Sequence, residues 1–436
     1  MISRRNALLS TLLGAGSLGL RTLATGLPAG LLLDPRRALA EPACPSPGKA
    51  QFVIFATSAL GDPINANCPG TYEDPGIYHS PDHLLAPVNI DLGGTKVKAA
   101  TPWSTLPQST LDRTCFFHMM TNTPVHPKEP DVLRLMHATR ADEMFPSILA
   151  RQLAPCLGTI QAQPISLGAL SPSEGLTYSG QALPSLPALA LKATLTNAAG
   201  PMANLQALRD QSLKQLYDVY KNGATPAQRA YIDSIVTSQQ QVRNIRQDLL
   251  DNLASIKDNS ASSQILAALT LFQMKVTPVV AIHIPFGGDN HRDVGLANEI
   301  AQTVSGVGVI RSLVQQLQAA GLADQVSLAS LNVFGRTLGQ DSVDGRNHNQ
   351  NHQVSVLIGK PFKAGVIGGV GRVEKDWGAV AIDSRTGRGV PGGDVPATDT
   401  LASYGRTVLT ALGVDPSVIS REIVSGRVIS PAIAGG

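Results

Sequence analysis

The sequence predicts an α/β fold: a mostly parallel sheet with helices on both faces and an α-helical insertion. Three observations carry this. Apolar runs of strand length recur at Gln51–Ala56, Thr114–Thr121, Lys275–Phe286, Val326–Phe334 and Val354–Ile358. Continuous runs of this kind read as strands buried on both faces, as a parallel sheet requires. Helical apolar spacing separates several of them, and alternation of strand and helix argues for crossover connections. Finally, polar clusters follow the runs directly, which is how an open α/β sheet builds a site at the carboxyl ends of its strands.

Taken in order, the chain opens on Ser3-Arg4-Arg5-Asn6-Ala7-Leu8, the paired arginines of a bacterial twin-arginine export signal. A moderately apolar stretch follows and closes on Ala38-Leu39-Ala40, an A-x-A cleavage pattern. Arg21 and several glycines interrupt it, so it lacks the ~20 consecutive apolar residues of a membrane span. The expectation is a signal peptide over 1–40, the twin-arginine export machinery as partner, and a periplasmic or extracellular protein with no stable membrane span.

Gln51–Ala56 reads as the first strand, and Thr57–Pro63 as the loop that leaves it. Residues 68–87, rich in Pro, Gly and Asp, read as surface loop. Thr114–Thr121 is the second strand and ends in the loop around His126. Ala141–Leu153 reads as a helix, with Pro146 as an alternative start. These elements make 41–158 the first part of the core. Composition then shifts to Ser, Pro, Gly, Ala and Leu, and 202–256 carries leucines at helical spacing, so 159–270 reads as a helical insertion or lid. The core resumes over 271–436. It holds the strand ending near Phe286, a helix over 298–321 with Gly306 and Gly308 in its middle, the strand Val326–Phe334, the strand Val354–Ile358, a Gly-rich turn over 364–371, and a last helix over 398–412.

Charge sets limits on function. The chain carries 35 Lys+Arg against 32 Asp+Glu, and its first forty residues hold five of the arginines and one of the acids. The remainder is therefore close to −1, with no basic footprint for nucleic acid. Four cysteines, Cys44, Cys68, Cys115 and Cys156, match no zinc spacing. In an oxidising compartment they allow one or two bridges whose connectivity the sequence does not give. No glycine fingerprint for a nucleotide and no P-loop occurs, which leaves little support for an exported oxidoreductase.

The chemistry-bearing residues sit at strand ends. Asp289-x-His291 follows one strand, Asn347-His348 follows the next, and Asp62 follows the first. Carboxylate with imidazole suits Zn, Mn or Fe, and carboxylate with amide suits Ca or Mg. Asp62, Asp289, His291, Asn347 and His348 are therefore the candidate ligands of a divalent ion (Zn, Ca, Mg or Mn), at one site or none. His126 and Arg336 are the candidate catalytic or substrate-contact residues. Arg336 could neutralise a small anionic or ester substrate, or brace its loop through bidentate bonds. His352, four residues after His348, would share its face if that stretch were helical. His118 and His283, set among apolar residues, read as structural, and His79, His83 and His137 have no evident partners.

Together these residues resemble a known family. Asp62-Pro63-Ile64-Asn65, Asp74-Pro75, His126, Gly288-Asp289-Asn290-His291, Phe334-Gly335-Arg336-Thr337, Arg346-Asn347-His348 and the closing Leu409–Asp415 stretch are similar to the twin-arginine-exported family catalogued as domain of unknown function 1501. That family lies in the alkaline phosphatase/sulfatase-like superfamily. The resemblance implies an alkaline-phosphatase-like fold and a strand-end site with one or two divalent metals that hydrolyses phosphate or sulfate esters. Three positions depart from the family pattern. Ala66 stands where a hydroxyl could act as nucleophile, Val333 where Glu is usual, and Asn347 where Asp is usual. Fewer carboxylates hold a divalent pair less well, so one metal or none is expected. The two readings that follow are a metal-dependent ester hydrolase with a partly degenerate site, and a non-catalytic binding or surface-assembly protein on the same fold.

Overall fold

The computed structural model describes residue 44, residues 48–58, 60–61, 63–169, 175–196, 247–286, 288–339 and 345–435, and a few isolated positions between 215 and 229. Asp62, the expected leader, and residues 170–174 and most of 197–246 of the expected helical insertion lie outside the described residues. Among the described residues seven strands form the central sheet: β1 (Phe52–Ser58), β2 (Thr114–Met119), β3 (Ile165–Ser166), β4 (Val279–His283), β5 (Val326–Asn332), β6 (Gln353–Ile358) and β7 (Gly365–Ile367). Their spatial order is β7-β2-β6-β5-β1-β4-β3. β1 is parallel to both β4 and β5, β3 is parallel to β4, and β7 to β2. Among the described strands of the sheet, only β6 runs against its neighbours β2 and β5. The sheet is thus mixed and mostly parallel.

Alternation along β1 shows how the sheet is covered. Phe52, Ile54 and Ala56 face one core, and Val53 and Phe55 face the other. The first core is closed by α2 (Ala261–Gln273) and α3 (Ala297–Ala319), through Ile265, Phe272, Val307, Ile310 and Leu313. The second is closed by α1 (Phe145–Leu157) and α4 (Thr400–Ala411), through Phe145, Ile148, Leu149, Leu401 and Val408. Helices therefore lie on both faces. Phe55, wholly buried, is the kind of side chain whose truncation to Ala costs about 3–5 kcal/mol.

Local sequence explains the helix ends. Pro146 occupies the first turn of α1, where its missing N–H costs nothing, so the helix begins at Phe145 rather than Ala141. The Asp293 carboxylate accepts from the backbone N–H groups of Asn298 (2.8 Å) and Glu299 (3.0 Å), and so caps α3. Gly306 sits inside α3 without breaking it. A Cβ there would come within 2.1 Å of the Phe286 ring, so glycine admits the aromatic that follows β4. Two residues of the segment read as an insertion, Ile165–Ser166, form the edge strand β3.

A disulfide joins Cys44 to Cys156 at the end of α1, and Cys68 and Cys115 are buried and outside any disulfide among the described residues. They lie in opposite cores, which keeps them from pairing. No helix among the described residues is long and apolar enough to cross a membrane.

Candidate metal centre

Strand direction brings the chemistry together. β1, β2, β4 and β5 point the same way, so the segments after Ser58, Met119, His283 and Asn332 emerge at one edge. β6 points the opposite way, so the residues that precede Gln353 enter at that edge too. A two-residue ladder then pairs Gly335–Arg336 with His348–Asn349, with Arg336 opposite His348. The stretch from His348 to His352 is strand and turn, not helix, and the two histidines do not share a face.

At this edge His126, Asp289 and His348 each offer a ligand atom, all within 4.8 Å of one another. His291 stands beside two of these residues. Its Nε2 lies 2.8 Å from His348 Nε2 and 3.3 Å from Asp289 Oδ1. The Asp289 side chain is 55% exposed and that of His291 39%, so a small ligand can reach the group.

Hydrogen bonds on the far side of each ring decide what those nitrogens carry. His348 Nδ1 lies 2.5 Å from the Pro124 carbonyl oxygen. A carbonyl can only accept, so this nitrogen bears the ring proton and Nε2 presents a lone pair. His291 Nδ1 lies 3.1 Å from Asn347 Oδ1 and donates to it, so in the neutral ring His291 Nε2 presents the lone pair. Two lone pairs at this separation repel, and a carboxylate beside them adds negative potential. With both rings neutral, a cation could sit between these groups. Nitrogens bound to one tetrahedral ion at 2.0–2.1 Å stand about 3.3 Å apart, which a shift of a few tenths of an ångström provides. Burial, aided by the charge on Arg336, pushes His348 down to about 4, so the ring is neutral near pH 7.

Asn347 thus enters the site as the residue that orients His291, with its oxygen on the ring nitrogen rather than at the shared point. Arg336 is fully buried and spends its guanidinium largely on bracing. Nη2 donates to the carbonyls of Leu60 (2.5 Å) and Gly288 (2.8 Å), and Nη1 reaches Asp289 Oδ1 at 3.5 Å. It ties the loops after β1 and β4 together and positions Asp289. Gly61, at φ +82, makes room for this, since a Cβ would meet the Phe334 ring at 2.7 Å and Arg336 Nε at 3.1 Å.

Sequence reasoning missed two parts of the site. Phe334 is its floor, with its ring centroid 4.3 Å from that of His348 and 4.8 Å from that of His126. The second is an ion pair between Arg346 and Glu299, 1% and 0% exposed. Arg346 Nε donates to Glu299 Oε2 at 2.5 Å, Nη1 to the Thr337 carbonyl at 2.7 Å and Nη2 to that of Tyr78 at 2.7 Å. The pair pins the loop bearing Asn347 and His348 to α3. An Arg next to a predicted ligand was a signal for it, but its partner lies 47 residues away.

No family model matches the chain, and no curated protein matches it either.

Proposed function

We propose that the chain is an exported metal-dependent hydrolase of phosphate or sulfate esters, a member of the domain of unknown function 1501 family on an alkaline-phosphatase-like fold. The observation that carries this reading is the convergence of two imidazole lone pairs, His291 Nε2 and His348 Nε2, at 2.8 Å beside Asp289 and His126. Three nitrogens and one carboxylate favour Zn or Mn over Ca and Mg, which take oxygen ligands. A divalent ion held there supplies Lewis-acid polarisation of an ester oxygen and a lowered pKa for water. Asp289, His291, His348 and His126 hold it. Asn347 and the Pro124 carbonyl set the tautomers, and Arg336 fixes Asp289 and adds positive potential toward an anionic substrate. The Cys44–Cys156 bridge fits an oxidising, periplasmic or extracellular location reached through the twin-arginine machinery.

A second reading has its own observation. Ala66 and Val333 are wholly buried, so neither position offers a nucleophile or an extra ligand. A non-catalytic binding or surface-assembly protein that retains the metal would look the same at these residues. Hydrolysis of phosphate and sulfate monoesters and diesters by the metal-loaded protein separates the two. The hydrolase reading expects turnover of at least one class, lost in a His291→Ala/His348→Ala variant. No turnover with metal bound favours the binding protein, and turnover that survives the double substitution places the chemistry elsewhere.

A further inference from the structure

Beneath the open cluster lies a second histidine contact that the metal reading does not use. His118 in β2 and His352 just before β6 are both wholly buried, and His118 Nδ1 lies 2.9 Å from His352 Nε2. The outer contacts fix every proton. His118 Nε2 lies 2.8 Å from the Pro69 carbonyl oxygen, which can only accept, so this nitrogen carries the proton and Nδ1 does not. His352 Nε2 must then donate to His118 Nδ1, and His352 Nδ1 must accept. What faces it, at 3.3 Å, is Asn65 Nδ2, which can only donate. Donor meets acceptor at each step, with one assignment for all three side chains. Burial holds both rings neutral, taking His118 down to about 4 and His352 well below its ordinary value.

The chain ends on the backbone of Arg336. The second N–H of Asn65 Nδ2 donates to the Arg336 carbonyl at 2.9 Å, and Asn65 Oδ1 accepts from the Arg336 backbone N–H at 3.4 Å. Asn65 therefore grips both main-chain groups of the residue whose guanidinium reaches Asp289. Asn65 follows β1, Arg336 follows β5, His118 lies on β2 and His352 precedes β6. One connected set of bonds spans all four.

We propose that Asn65, His352 and His118 are positioning residues, a one-way hydrogen-bond chain that fixes the main chain of Arg336 and so aims its guanidinium at Asp289. Only the last step, from Arg336 to metal affinity, rests on the metal-site reading.

Long-range 1H–15N spectra of protein labelled in its histidine rings test the chain with no metal present. Both His118 and His352 are expected as neutral Nε2–H tautomers that hold from pH 8 to about 5.5. An Nδ1–H tautomer or an imidazolium at either ring near pH 7 overturns the chain. Amide hydrogen exchange at Arg336 reads the positioning. It is expected to speed up about tenfold in His352→Phe, the loss of roughly one hydrogen bond, and to return toward wild type in His352→Gln, which keeps a donor toward His118. Unchanged exchange in His352→Phe, or in Asn65→Ala should the first variant not fold, overturns the positioning role. Zn2+ affinity is expected to fall at least tenfold in His352→Phe and recover in His352→Gln. If the wild-type protein binds no Zn2+, the metal reading fails while tautomers and exchange still decide the chain.

Discussion

Two pairs of histidines in this protein touch at almost the same distance, His291 with His348 at 2.8 Å and His118 with His352 at 2.9 Å. The first is partly open to solvent beside a carboxylate, and the second is sealed in the sheet. What separates them is the group behind each ring. Behind the open pair stand two acceptors, the Pro124 carbonyl and the Asn347 amide oxygen, which draw the protons outward and turn two lone pairs toward each other. Behind the buried pair stand one acceptor and one donor, the Pro69 carbonyl and the Asn65 amide nitrogen, which leave one proton between the rings. With neutral rings the first arrangement leaves two lone pairs that a cation could join, and the second is complete as it stands. The role of a histidine contact is thus set one residue further out.

The comparison predicts that damage to the buried layer reads out as instability and damage to the open layer as lost ligand. The largest effect is expected for Glu299→Ala, which strands the Arg346 guanidinium in the interior. Loss of one partner of a buried pair costs about 3–5 kcal/mol, measured by urea unfolding. A cost below about 1 kcal/mol would mean that water reaches the pair and that the layer is not sealed.

Acid comes next. His118 and His352 are held neutral when folded, whereas the unfolded chain titrates near its ordinary value. Below pH ~6.5 the unfolded state takes up protons that the folded state refuses, so stability falls as pH drops toward ~4, by up to about 1.4 kcal/mol per unit per ring. The His118→Gln/His352→Gln variant should show a shallower fall between pH 7 and 5. An unchanged slope would show that other groups carry the acid sensitivity.

At the open layer, Asn347→Ala removes the acceptor behind His291. Metal affinity should drop by about 10–100-fold with little change in the stability of the metal-free protein. Equal affinity would mean that Asn347 does not set the tautomer. The smallest effect is expected for the stability of metal-free His291→Ala/His348→Ala, within about 1 kcal/mol of wild type, because partly exposed groups with opposed lone pairs contribute little until an ion joins them. A large loss there would show that the pair is already bonded.

Parts of this arrangement were legible in the sequence. β1, β4, β5, α3 and α4 announce themselves as apolar runs or helical spacing, and the parallel sheet follows from their alternation. The strand-end rule placed Asp289, His291, Asn347 and His348 at one edge, and His118 read as a satisfied core residue. What escaped is long-range. β3 is two residues long and exists only because β4 offers an edge. The reversed direction of β6 leaves no mark on periodicity, yet it turns His348 and His352 toward opposite fates. The partners Glu299, Asn65 and Pro124 are ordinary residues far away in sequence, and no spacing links them to the ions and rings they serve. The pairing of Cys44 with Cys156 was one of several the sequence allowed.

Metal analysis of the protein purified from its host, with His291→Ala/His348→Ala as control, is the most direct test of the open site. The account predicts about one equivalent of a divalent transition metal per chain, Zn or Mn before Ca or Mg, absent from the double variant. Substoichiometric metal in the wild type, or equal metal in both proteins, would contradict it.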